Sequence, residues 1–191
     1  MKYLIFSIAF LFSTLTFAQK PCDFTTNVVD SIGSYKTTKE YLIFEKNFAG
    51  KSTYIFNSIV ISDDTAILNV QFIEKSQDFI KVKCLDKNSR LYLQLENNKI
   101  ITLAHTNDES CGSMVRDDKG MNNRVLSGYF KFRKEDYNDL KQYPVSFIRV
   151  KFATDVEDFI TRKAIKSELN GELYEPDSYF MNYLHKKKKK N

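Results

Sequence analysis

From Tyr41 to Phe152 apolar and polar residues alternate with a period of two, and no other feature of the sequence narrows the fold as far. Ala66, Leu68, Val70 and Phe72 keep this beat, as do Leu91, Leu93 and Leu95 against Tyr92, Gln94 and Glu96, and then Ile101 and Leu103. A strand turns successive side chains to opposite faces, so this pattern describes strands with one face in a core and the other turned away from it. Thr53, Ile55, Ile59 and Ile61 share one face of a first strand, with Tyr54, Phe56 and Val60 on the other. Asp63-Asp64, Ser76-Gln77-Asp78 and Asn97-Asn98 break the runs at short intervals, as turns between antiparallel neighbours do.

Around this frame the sequence predicts a long polar connection from Thr106 to Asn123 and further strands through Leu126, Phe130 and Phe132 and through Ile148, Val150 and Phe152. A short helix is expected over 134–143, stopped by Pro144. Val156, Phe159 and Ile160 fit helical spacing and also a short edge strand, and both readings stand. Pro176-Asp177-Ser178 opens a C-terminal helix whose apolar face is Tyr179, Phe180, Tyr183 and Leu184. The predicted fold is mainly β: a single antiparallel β-sandwich or curved-sheet domain with a short helix and a C-terminal helix, spanning residues 19–185.

The ends read differently. Lys2, the apolar run Tyr3 to Phe17, and Thr16-Phe17-Ala18 before Gln19 have the order of a secretory signal peptide over residues 1–18. No transmembrane segment is expected after its cleavage. Residues 186–191 are expected to form a disordered basic tail. The formal charge of +5 falls to −1 once Lys2 and Lys186–Lys190 are set aside, so no basic folded face is foreseen and nucleic acid is not an expected partner. The leader with Gln19-Lys20, and the Lys/Asn/Ile/Phe-rich strands after it, make the chain resemble small exported β-rich proteins of unknown function from Bacteroidota bacteria. That resemblance implies a periplasmic, cell-surface or extracellular setting and transfers no catalytic residue.

Export permits disulfides. Of Cys22, Cys84 and Cys111, the favoured pairing is Cys22–Cys111, tying the mature start to the long connection. Cys84, in phase with Ile80 and Val82, reads as an inward strand residue; Cys84–Cys111 and three free thiols are the alternatives.

Motifs for chemistry are sparse. There is no Gly-x-Ser-x-Gly elbow, no paired Cys/His spacing for zinc, no EF-hand and no phosphate-binding glycine loop, so neither a metal nor a cofactor is expected. His105, in phase with Ile101 and Leu103, points inward near the long connection, where it either bonds a loop carbonyl or faces Cys111 as a base. Asp117 and Asp118 join His105 as candidate ligand-binding residues. Asn122, Asn123, Asp155, Glu157 and Asp158 are further oxygen donors on acidic segments. Tyr54, Phe56, Phe79, Tyr92, Tyr129 and Phe147 fall beside Lys and Arg, most densely in Phe147-Ile148-Arg149-Val150-Lys151. Aromatics interleaved with cations suit sugar stacking or docking of a partner. The expected function is therefore an exported, non-catalytic binding or accessory protein of the cell envelope, acting on an envelope protein or a glycan. A small hydrolase with a site near 106–123 and a structural envelope component are the alternatives.

Overall fold

A computed structural model describes residues 24–29, 34–62, 65–106 and 108–184. The leader, Cys22, the Asp63-Asp64 turn, His185 and the basic tail lie outside the described residues. The strands are β1 (Phe24–Val29), β2 (Ser34–Thr38), β3 (Tyr41–Phe48), β4 (Lys51–Ser62), β5 (Thr65–Ser76), β6 (Cys84–Leu85), β7 (Arg90–Leu95) and β8 (Ile100–His105). They continue as β9 (Ser110–Cys111), β10 (Ser113–Arg116), β11 (Asn122–Lys131), β12 (Val145–Lys151), β13 (Val156–Ile160), β14 (Ile165–Lys166) and β15 (Leu173–Tyr174). Two short helices, α1 (Tyr137–Gln142) and α2 (Tyr179–Tyr183), each follow a single 3-10 turn. The predicted mainly β, antiparallel architecture with a short helix and a C-terminal helix is what the chain adopts.

One sheet carries most of the fold, in the order β1-β2-β4-β5-β11-β8-β7-β12-β13, with β3 beside β4 and β10 beside β11. Its spine is the hairpin β4–β5, paired from Lys51 opposite Ser76 to Ser62 opposite Thr65. β5 shows why the period-two reading works: Ala66, Leu68, Val70 and Phe72 are buried while Asn69, Gln71 and Ile73 are only half covered. β4 departs from it. Its edge pairs with β3 as far as Asn57 and with β2 from Val60, and the four consecutive residues Asn57 to Val60 are all buried, so both faces are covered there. Asn57 and Ser58 are buried at that changeover, and the N–H of Ile59 donates to Thr38 Oγ1 at 2.8 Å. The hydroxyl removes what would otherwise be an orphaned buried donor.

β11 is where the sheet folds over. It pairs with β5 along its whole length but reaches β8 only through Phe130 and Lys131. This short junction lets β8-β7-β12-β13 lie against β3-β4-β5-β11, bringing Phe72 to 5.2 Å from Phe152 and Phe44 to 5.0 Å from Phe159, centroid to centroid. Leu68, Leu93, Leu103 and Phe130 fill the space between the halves with no measurable exposure. Each such side chain contributes roughly 1.5–3 kcal/mol on leaving water. α1 and α2 close one end: Leu140, Tyr179, Phe180 and Leu184 join the same core, with Phe180 edge-on to Phe132. A smaller cluster of Leu42, Tyr54, Ile165 and Tyr174 lies separately, where the β14–β15 pair meets β3 and β4.

Three local expectations are corrected or resolved. Residues 106–123 are not one polar loop, because β9, β10 and the first residues of β11 form within them. The run before Cys84 is not a strand through Ile80 and Val82: only Cys84 and Leu85 pair, and Val82 is exposed. Between the two readings of 156–160 the structure has the edge strand, since pairing with β12 supplies the backbone bonds that a five-residue helix could hardly provide alone.

Candidate functional site

The cysteine prediction is overturned first. Cys111 is bonded to Cys84, not to Cys22. The physical reason is register: β6 and β9 pair so that Cys84 stands directly opposite Cys111. Each cysteine sits in a two-residue strand, which is too short to show as alternation. The Glu109 carboxylate lies within 4.8 Å of both sulfurs, but with the sulfurs bonded to each other no thiolate is left to ligate a metal or to act as a nucleophile.

His105 points inward, as its phase with Leu103 requires, and is buried. Its Nδ1 lies 3.1 Å from the carbonyl oxygen of Asp86, an acceptor, so Nδ1 carries the proton. The buried Nε2 has no hydrogen-bond partner among the described residues. Burial lowers the pKa of His105 against the weaker opposing pull of Asp86, which keeps the ring neutral. The ring packs against Phe130 at 5.4 Å and beside Gly128. A Cβ at Gly128 would stand 2.3 Å from Leu85 Cδ1, so this glycine is what allows the disulfide-bearing β6 to press on β11.

Asp117 and Asp118 are far from His105. They sit in the turn before Asn122, whereas His105 pairs with Phe130 at the other end of β11. Eight residues of strand separate those ends by about 27 Å. Lys75 donates to Asp117 at 2.5 Å and the backbone N–H of Met121 at 2.9 Å, and the Lys75 bond is the main reason its carboxyl is held far below the usual carboxylate range. Asp118 is exposed beside it. The other acidic and amide candidates are also committed: Asn122 donates to the carbonyls of Gln77 and Asp78, Asp155 pairs with Lys81, and Glu157 pairs with Lys83.

Two places gather charged and aromatic groups. The first is a cleft of about 270 Å³ between β3–β4 and β13. Beside it Lys83 Nζ lies 3.2 Å from Glu74 and 2.7 Å from Glu157, and Lys51 Nζ lies 2.7 Å from Glu74. Burial by itself raises the Glu74 pKa, but the hydrogen bonds and charges of Lys51 and Lys83 outweigh it and hold the group below its ordinary value. A carboxylate kept ionised in this way is a poor general acid, and glycoside hydrolysis needs one of its two carboxyls protonated.

The second is a groove of about 490 Å³ on the outer face of the β7-β12-β13 half, lined by Tyr92, Gln94, Ile100, Phe147, Arg149, Lys151 and Val156. Strand register builds it. Tyr92 stands beside Arg149, Gln94 beside both Ile100 and Phe147, and Lys151 beside Val156. The Arg149 guanidinium lies 5.7 Å from the centre of the Phe147 ring and donates to both oxygens of Asp158, at 2.7 and 2.8 Å. Sequence reading singled out Tyr92, Phe147, Arg149 and Lys151 but passed over Ile100 and Val156, which are 61% and 57% exposed. Ile100 did carry a signal, being out of phase with the core residues Ile101 and Leu103. Of the other aromatics flagged as outward, Tyr54 is buried and Phe79 stands exposed away from the groove.

Among the described residues no helix is long and apolar enough to cross a membrane. Comparison with known protein families, with curated proteins and with solved structures finds no match to this chain.

Proposed function

We propose that the protein is an exported, non-catalytic binding module of the cell envelope whose ligand is a glycan carrying carboxylate groups, held in the groove between Tyr92, Phe147 and Lys151. One observation carries this reading: the groove lines up two aromatic faces with Lys151 and with Arg149, whose guanidinium is held over Phe147 by Asp158 at the groove's edge. Aromatic rings stack on the apolar faces of sugars, and Arg and Lys suit acidic substituents. Binding is preferred over hydrolysis because the carboxyl at the groove's edge, Asp158, is held below its ordinary pKa by its bonds to Arg149, and a hydrolase needs a second group protonated to act as general acid. The envelope setting rests on the leader-like residues 1–18 and on the resemblance to small exported proteins, and the Cys84–Cys111 disulfide is compatible with it.

Calorimetric titration with oligosaccharides containing uronic acids, alongside neutral ones, tests the proposal. Acidic oligosaccharides should bind, and Phe147→Ala should weaken them about 30-fold, the effect of losing an anchor worth about 2 kcal/mol. Binding that survives both Phe147→Ala and Tyr92→Ala, or no binding by any acidic oligosaccharide, would overturn it.

A further inference from the structure

Among the described residues the sheet ends at β13, with no strand paired to its outer edge. Two hydrogen bonds fix which peptide groups face outward. The N–H of Phe152 donates to the carbonyl of Asp155, and the N–H of Thr161 to that of Ser146. In an antiparallel ladder this phase turns the peptide groups of Asp155, Glu157, Phe159 and Thr161 toward β12. Those of Val156, Asp158 and Ile160 therefore point away from the sheet, as a row of donors and acceptors ready for another strand.

Exposed edges are usually blunted by being very short, by a bulge, a proline or a charged side chain, lysine above all. β1 and β3 each carry a bulge, and β10 is four residues long and ends in Arg116. β13 has no bulge, no proline and no lysine. Its two charges are already balanced within the chain, Glu157 by Lys83 and Asp158 by Arg149.

We propose that this protein forms a two-fold symmetric dimer in which β13 pairs antiparallel with β13 of a second copy, centred on Asp158. The strand is self-complementary about that residue. Val156 falls opposite Ile160 of the second copy, and Ile160 opposite its Val156, joining side chains that are 57% and 71% exposed in the single chain. The central row across the interface reads Arg149, Asp158, then Asp158 and Arg149 of the second copy, so each carboxylate meets its like only after its own guanidinium has neutralised it. On the flanking rows Phe147 lies next to Ile160, extending the apolar contact inward. An unrelated strand would need the same spacing of two apolar residues about an acid; a second copy has it by identity. The axis stands perpendicular to the sheet, which places both grooves on one face of a continuous sheet. The dimer itself does not depend on what the groove binds.

Sedimentation velocity on the purified protein without added ligand, over a dilution series, tests this. A monomer–dimer equilibrium is expected, and the double variant Val156→Lys/Ile160→Lys should weaken it at least about tenfold, since exposed lysines on an edge oppose pairing. At dilutions where both proteins are monomeric, its circular dichroism and Tm should match those of the wild type. A wild-type protein that stays monomeric at its highest soluble concentration overturns the proposal, as does a dimer that survives the double variant. Hydrogen exchange gives a readout that needs no substitution: the amides of Val156, Asp158 and Ile160 should slow as concentration rises, and no change there while a dimer forms would place the contact elsewhere and overturn the proposal too.

Discussion

The cleft and the groove are built from the same parts. Beside the cleft Lys83 lies over the ring of Phe152 at 5.6 Å and pairs with Glu157; in the groove Arg149 lies over Phe147 at 5.7 Å and pairs with Asp158. What separates them is water. The Lys83 side chain is 14% exposed and that of Arg149 49%. Buried charges must satisfy one another or raise the free energy of the fold, so the cleft spends its charges internally and works as a strut between the two halves of the sheet. At the groove the solvent already satisfies those charges. The ion pair there adds little to stability, and its aromatic and cationic faces stay available to a ligand.

This contrast can be broken by substitution. Lys83→Met leaves the buried Glu74 with Lys51 as its remaining cation and the one-third-exposed Glu157 with none, and should cost about 3 kcal/mol of unfolding free energy in denaturant titration. A loss below about 1 kcal/mol would mean that the cleft is not a strut. Replacing Cys84 and Cys111 together by Ser opens a 27-residue separation and should cost about 3 kcal/mol, again with the groove intact. Gly128→Ala forces a methyl onto Leu85 and should cost about 2 kcal/mol.

Acid sharpens the same comparison more gently. Glu74 has a folded pKa below its ordinary value, so its contribution is complete at neutral pH and is lost as pH falls through the carboxylate range. His105 also has a folded pKa below its ordinary value of 6.5, so below that pH the unfolded chain takes up a proton that the folded ring refuses, and stability falls. Tm measured against pH should therefore decline on the acid side, beginning near pH 6.5, and His105→Gln should remove that first part of the decline. The smallest stability effect belongs to the groove. Phe147→Ala should change the unfolding free energy by less than about 1 kcal/mol while weakening the proposed glycan binding about 30-fold, and a larger loss of stability would make Phe147 part of the frame.

Much of the frame was legible because burial on one side of a strand writes itself into alternation. Leu68, Leu93, Leu103 and Phe130 were placed inward by phase alone, and they are inward. Pro144 and Pro176 marked a helix end and a helix start where the chain has them. Alternation failed where both faces of a strand are covered, as at Asn57 and Ser58, and where a strand has only two residues, as at Cys84–Leu85. The groove was half legible. Phe147, Arg149 and Lys151 share one outward phase along β12, whereas Ile100 and Val156 join them only through pairing with β7 and β12.

The sequence by itself determined the inward phase of the long central strands and that Arg149 and Phe147 share a face, because these follow from the two-residue period of a single strand. The tertiary structure decided what that period cannot carry. It chose the partner of Cys111, set His105 and Asp117 at opposite ends of β11, and neutralised Glu74 and Glu157 with lysines from other segments. Each of these depends on which strands neighbour one another and in what register, and that is fixed by packing between segments distant in the chain.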